Sequence, residues 1–300
     1  MSTPPFVALP AGTERVDVAT GWGALAALEA RPDGPARAAA LLVPGFTGSK
    51  EDFIAVLPLL AQRGVHVIAV DQRGQHESPH APDPADYDVA PLGRDALAAA
   101  AVLRERSGQE RVHLLGHSFG GLVARAATLQ AAEPAGGHRD LLASLTLLCS
   151  GPAEVPEPGA GRLRLLAGAL AQVDLATIWA VMRQLDAENG VPEPAPDVQA
   201  FLERRWLATD AAQLLRVTEQ LLGEPDRTDA LRAAVDDLAL PVLVARGEDD
   251  DAWAHDAQAD MAARLGARHE VIAQAAHSPA AERPETTADL LATYWVEGVC

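Results

Sequence analysis

Lysine is almost missing: Lys50 is the only one in 300 residues, and arginine supplies the remaining basic charge. Against 42 acidic side chains the 24 basic ones leave a net charge of −18. No basic stripe offsets this. Such a surface repels nucleic acid and anionic membranes, so neither is expected as a partner. Cysteine is scarce too. Cys149 ends an apolar run, Cys300 is the last residue, and neither has CxxC or zinc-ligand spacing. A buried small hydrophobe and a loose tail are the expected roles. No apolar run approaches the ~20 residues that cross a bilayer. The start, "MSTPPFVALPAGTERVDV", lacks the basic-then-apolar order of a signal peptide, which makes a cytoplasmic address the expectation. There is no G-x-x-x-x-G-K-[ST] and no G-x-G-x-x-G, so nucleotide chemistry is not expected. His76 and His80 in "HESPH" straddle Pro79, which excludes an ordinary helical i,i+4 ligand pair, and no metal or other cofactor is expected.

What is present is apolar: 48% of the chain, enough for a sizeable core in one large domain or in one domain with a smaller insert. Apolar runs alternate with longer helical patterns. "RVDVAT" and "ALAALEA" read as an opening hairpin around Gly21–Gly23, and "AALLVPG", "VHVIAV", "RVHLLG", "LASLTLLCSG", "LPVLVARG" and "RHEVIA" as further strands. Continuous rather than alternating apolar residues imply strands buried on both faces. With helices such as "KEDFIAVLPLLAQRG" and "APLGRDALAAAAVLRERSG" between them, the expected fold class is α/β, a doubly wound, mostly parallel eight-stranded sheet. Between Gly151 and Leu240 no strand is legible. After the Pro/Gly-rich "GPAEVPEPGAG" come five helical patterns. Residues 1–152 and 238–300 are therefore expected to form the core domain, and 153–237 a helical cap inserted between the sixth and seventh strands.

The chemistry centres on "LLGHSFGGLVARAA", where an apolar strand runs straight into Gly-x-Ser-x-Gly. A random chain of this composition holds about 0.05 such matches, so context must decide. At a strand-to-helix turn the motif presents a strained serine with its Oγ exposed. Gly116 and Gly120 leave room for that turn, and Gly121 lets the helix pack near the strand. Ser118 needs a base, and the base an orienting acid. Both should follow strands, since ligands bind outside the carboxyl ends of a parallel sheet. His277 follows the last strand by a short loop of small residues. Asp249, Asp250 and Asp251 crowd the turn after "LPVLVARG". The order Ser, Asp, His is the one this architecture uses. Of the other histidines, His117 inside the motif should point away from substrate. The N–H groups of Phe119 and of Phe46, in "PGFTGS", are the candidate oxyanion donors.

Together "GHSFGG", "PGFTGSKEDF", "DQRGQHES", "GEDDD" and "AAHSPAAERPE" resemble the α/β-hydrolase superfamily, in its capped, serine-esterase-like branch, over nearly the whole chain. The resemblance implies an acid three residues after the glycine of G-x-x-D, which selects Asp250. It also implies structural roles for Asp71, Arg73, Gly74 and Ser78. His76 stands where the family has a glycine, and Pro44 where it usually has a histidine before Gly45. The implied activity is hydrolysis of a carboxylic ester with a small to medium apolar acyl or aryl group, without cofactor, by a monomer or homodimer. Trp179, Met182 and Trp206 are the candidate pocket walls in the cap, with packing of its helices on one another as the other reading of the same residues. Lactonase, thioesterase, C–C hydrolase, peptidase or cofactor-free perhydrolase chemistry on the same residues, or a ligand-binding receptor of the same fold, are the alternatives.

Overall fold

The computed structural model describes residues 1–134 and 136–298. Cys300 lies outside them. Eight strands form one sheet: β1 (Thr13–Ala19), β2 (Ala24–Ala30), β3 (Ala38–Val43), β4 (Val65–Val70), β5 (Val112–His117), β6 (Leu142–Leu148), β7 (Val242–Gly247) and β8 (Arg268–Ile272). Their order is β1-β2-β4-β3-β5-β6-β7-β8. β1 pairs antiparallel with β2, and β2 with β4; every other pairing is parallel.

The helices are α1 (Val56–Gln62), α2 (Val89–Ser107), α3 (Phe119–Ala132), α4 (Gly159–Leu170), α5 (Leu175–Glu188), α6 (Pro196–Ala208), α7 (Ala211–Gly223), α8 (Thr228–Asp237), α9 (His255–Leu265), α10 (Pro279–Glu282) and α11 (Pro284–Val296). In β3 alternate residues serve opposite faces. Ala39, Leu41 and Val43 join one apolar cluster, which includes Leu97 of α2 and Val123 of α3. Ala38, Ala40 and Leu42 join the other, with Leu57 of α1 and Leu291 of α11. This is why the strand reads as an unbroken apolar run.

Two helix readings change. The expected helix over "KEDFIAVLPLLAQRG" is a short 3-10 turn at Lys50–Phe53 followed by α1. Pro58 has no N–H to return to Ile54, so one continuous α-helix would lose a bond there. Helix α9 adds to the expected elements; its only buried residues are Gln258, Met261, Ala262 and Leu265, a narrow apolar face.

Lys50 is wholly buried. Its Nζ lies 2.7 Å from Asp71 and 2.7 Å from Glu77, and its N–H donates to Asp71 at 2.7 Å. Arg73 grips Asp95 with two nitrogens, at 2.9 and 2.8 Å. Ser78 donates to the Asp71 carbonyl at 2.8 Å and accepts from Ala26 N–H at 3.0 Å. These contacts lock the turn after β4 against β2 and the start of the 3-10 turn. Helices α4–α8 lie between β6 and β7; α5, α6 and Leu214 of α7 build a separate apolar cluster, while Leu231 and Val235 of α8 join the cluster on the sheet.

Candidate active site

Ser118 joins β5 to α3 at φ 54, ψ −122. Left-handed backbone is costly for a residue with a Cβ, and the surroundings hold it. Its N–H donates to Leu148 O at 2.9 Å, and its carbonyl accepts from Gly121 N–H at 2.8 Å. The glycines are sterically required. A Cβ on Gly116 would overlap the Gly120 carbonyl, one on Gly120 the Val43 and Pro44 carbonyls, and one on Gly121 the Ser150 side chain.

His277 lies in the loop between β8 and α10. Its Nε2 stands 2.9 Å from Ser118 Oγ. Its Nδ1–H donates to Asp250 Oδ1 at 2.7 Å. Asp250 follows β7 and is buried, whereas Asp249 and Asp251 are exposed, and Asp251 faces Arg162 at 3.7 Å. Asp250 also accepts from Ala252 N–H at 3.2 Å and from Gln258 Nε2 at 2.9 Å. Burial alone would raise its carboxyl. The hydrogen bond and charge of His277, then Gln258, outweigh burial and hold it below the usual carboxylate range.

The loop after β3 closes the other side. Gly45 sits so near Ser118 that a Cβ on it would stand 2.9 Å from the serine Cβ. Gly48 N–H returns to Gly45 O at 3.2 Å, with Thr47 between them at φ 57. Phe119 is the first residue of α3, where a backbone N–H has no intrahelical partner and the helix dipole favours negative charge. Phe46 and Ser118 line one cavity of about 550 Å³, to which Val155, Leu163, Leu166, Leu221 and Trp253 contribute apolar wall. Asp52, Asp251, Glu282 and Arg162 bring the charge.

A model of the "alpha/beta hydrolase fold" family matches residues 40–284. The chain belongs to the alpha/beta hydrolase fold family. As a member it is a hydrolase. A thermophilic esterase from Thermogutta terrifontis superposes with a TM-score of 0.66 at 24% identity, over 93% of this chain and 96% of that one. An alpha/beta hydrolase from Novosphingobium aromaticivorans gives 0.65 at 26%, over 97% and 100%. RutD of Variovorax paradoxus (strain S110), named for carbamate hydrolysis, is 40% identical over 85 residues. The matched stretch spans 28% of this chain and 30% of that relative. Among the described residues of this hydrolase, no helix is long and apolar enough to cross a membrane.

Two expectations are corrected. Trp179, Met182 and Trp206 do not line the cavity. Trp179 and Trp206 are buried with Phe201 and Leu202 in the core of the insert, with Met182 packed against it, and Trp206 Nε1 donates to Leu175 O at 2.7 Å. Helical spacing marks an apolar face but not its partner, and here the partner is the neighbouring helix. His117 does not point away: it lines the cavity. Its Nε2–H donates to the His277 carbonyl at 2.6 Å, with the two rings 5.0 Å apart. Burial, then the His277 charge, lowers its pKa to about 3, which keeps the ring neutral.

Gln258 was missed. Its signal was the spacing Gln258, Met261, Ala262, Leu265 followed by Gly266, a weak amphipathic helix with a glycine stop. Two other groups bring metal-ligand atoms within 4.8 Å: His117, Cys149 and His277, and Glu51, His76 and Glu77. Hydrogen bonds to Ser118, Asp250 and the His277 carbonyl engage the first group. Lys50 and Arg15 neutralise the carboxylates of the second.

Proposed function

We propose that the protein is a serine hydrolase of carboxylic esters with a small to medium apolar acyl or aryl group. The continuous hydrogen-bonded line Ser118–His277–Asp250, opening into a cavity with an apolar wall, carries the reading. His277 Nε2 takes the Ser118 proton as Oγ attacks the ester carbonyl. The N–H groups of Phe46 and Phe119 hold the oxyanion. His277 then protonates the leaving alcohol. A water molecule, deprotonated by the same imidazole, hydrolyses the acyl-enzyme. Asp250 keeps the Nδ1–H tautomer and stabilises the imidazolium that forms.

Residues 153–237 serve in this reading as a cap over the site. Leu163 and Leu166 of α4, with Leu221 of α7, supply the apolar wall for the acyl or aryl group. An apolar wall beside a few convergent polar groups suits such a substrate. Turnover of p-nitrophenyl butyrate and labelling by a fluorophosphonate test the assignment. Ser118→Ala should abolish labelling and lower kcat by about four to six orders of magnitude, because the three residues act as a unit. Near-normal turnover by that variant would sink the reading. A panel of lactone, thioester, carbamate and amide substrates then fixes the scissile bond.

A further inference from the structure

The peptide joining Gly45 to Phe46 has two ends with different tasks. In the mechanism proposed above, its N–H faces the developing oxyanion. Its carbonyl, Gly45 O, accepts from Gln75 Nε2 at 2.9 Å, besides closing the turn to Gly48. Gln75 is fully buried. Its own Oε1 accepts from Gln72 N–H at 3.0 Å, so both ends of the amide are engaged and its orientation is set. One peptide earlier, Gln72 Nε2 donates to Pro44 O at 2.8 Å. Two glutamines from the turn after β4 thus hold two successive carbonyls of the loop after β3.

A trans peptide is planar, with C=O and N–H pointing in opposite directions. Anchoring the Gly45 carbonyl on the buried side therefore turns the Phe46 N–H toward the other side, where Phe46 and Thr47 line the cavity. Donation to the carbonyl also polarises the same peptide and strengthens its N–H as a donor. The sequence departs from its family at both neighbouring points, with Pro44 in place of the usual histidine and His76 in place of a glycine. His76 takes a left-handed conformation that favours glycine, at φ 42, and its ring packs edge-on against Phe201 at 5.4 Å.

We infer that Gln75, oriented by Gln72, is the positioning residue of the oxyanion donor in this protein, fixing the Gly45–Phe46 peptide from beneath. The inference rests on the serine-hydrolase reading. The step it affects is the attack of Ser118: the carbonyl oxygen of the ester gains the electron pair, and Phe46 N–H hydrogen-bonds that charge without transferring a proton.

The test uses the whole chain and p-nitrophenyl butyrate, with a trifluoromethyl ketone as a mimic of the oxyanion adduct. Gln75→Leu removes the donor at similar volume. It should lower kcat about 10- to 100-fold with KM within about 3-fold, below the loss from deleting a donor itself. It should weaken ketone inhibition by the same factor, while circular dichroism shows the folded state. Gln75→Glu carries the test if the leucine variant does not fold. A protonated carboxyl can copy both hydrogen bonds of the amide, and an ionised one repels the Gly45 carbonyl. The activity of Gln75→Glu relative to wild type should therefore fall at least about 10-fold as pH rises through the glutamate pKa, which burial raises. A residue that only packs would give a flat ratio. Such a flat ratio, or a folded Gln75→Leu with kcat within 2-fold of wild type, overturns the inference alone. Wild-type protein that neither turns over the ester nor labels at Ser118 overturns the hydrolase reading, and the inference falls with it.

Discussion

Strain at Ser118 and hydrogen bonding at Asp250 are two sides of the same local arrangement. A serine held at positive φ costs about 1–3 kcal/mol, and the packing that enforces it is the approach of α3 to β3 and β5 through Gly116 and Gly120. Asp250 is fixed by a donor on each oxygen, and Gln258 is the one that does not belong to the chemistry. Gln258→Leu should strand a buried carboxylate oxygen, cost about 1–3 kcal/mol in urea unfolding and lower kcat/KM about tenfold. A variant as stable and as active as wild type would show that Asp250 needs no second donor.

Glu29 gives a pH prediction of definite sign. Burial alone would raise its carboxyl, but hydrogen bonds from His66 and Arg31 outweigh that and hold it at about 2, below an ordinary value of 4.5. Its folded-state pKa is depressed, so its stabilisation is complete above about pH 4.5 and is lost as pH falls toward 2. The stability gap between wild type and Glu29→Gln, from urea melts, should be wide at pH 7 and narrow at pH 3. A gap that does not narrow would rule out this linkage.

At the scale of elements, the helical insert is tied to the core by buried ion pairs. Arg205 of α6 meets Asp52 at 2.7 Å beside the loop after β3. Arg125 of α3 meets Glu224, just past α7, at 2.7 Å. Removing one member of such a pair strands a buried charge. Arg125→Met should cost about 3–5 kcal/mol, and Arg125→Met with Glu224→Met much less. Urea melts of the single and double variants make the comparison. Equal losses would mean that the arginine acts through packing.

These elements also mark how far the sequence could be read. Strands buried on both faces announce themselves as apolar runs, so the sheet and its switch to helices were legible. So was the grouping of Ser118, Asp250 and His277, which the structure brings into one hydrogen-bonded line: the proposed chemistry asks for scarce residue types at fixed places after strands. Helix α9 was not legible, since most of its residues face water, and Gln258 went with it. The cavity wall was not legible either. Leu163, Leu166 and Leu221 are ordinary apolar residues whose side chains meet only through tertiary packing, while the tryptophans that drew attention fill the core of the insert.

Across the whole molecule the charge of −18 is unevenly useful. Around the cavity Asp251 and Glu282 stand beside Arg162, while Asp52 is already paired with Arg205. An anionic ester should therefore be disfavoured at low ionic strength. Its kcat/KM should rise about 2- to 5-fold as salt goes from about 10 to 150 mM, where the screening length falls from about 30 to 8 Å. A neutral ester of the same length should change little. Equal salt responses of the two esters would show that the surface field does not reach the site.

Lys50 extends the matter of charge to handling. The chain's one lysine lies in the interior, held by Asp71 and Glu77. In the folded protein no side-chain amine is within reach of acylating reagents or of an amine-reactive support. Exposed carboxylates, such as those of Asp249 and Asp251, offer sites for coupling instead. The same burial makes Lys50 a reporter. Acylation at that residue records the parting of the 3-10 turn after β3 from the turn after β4.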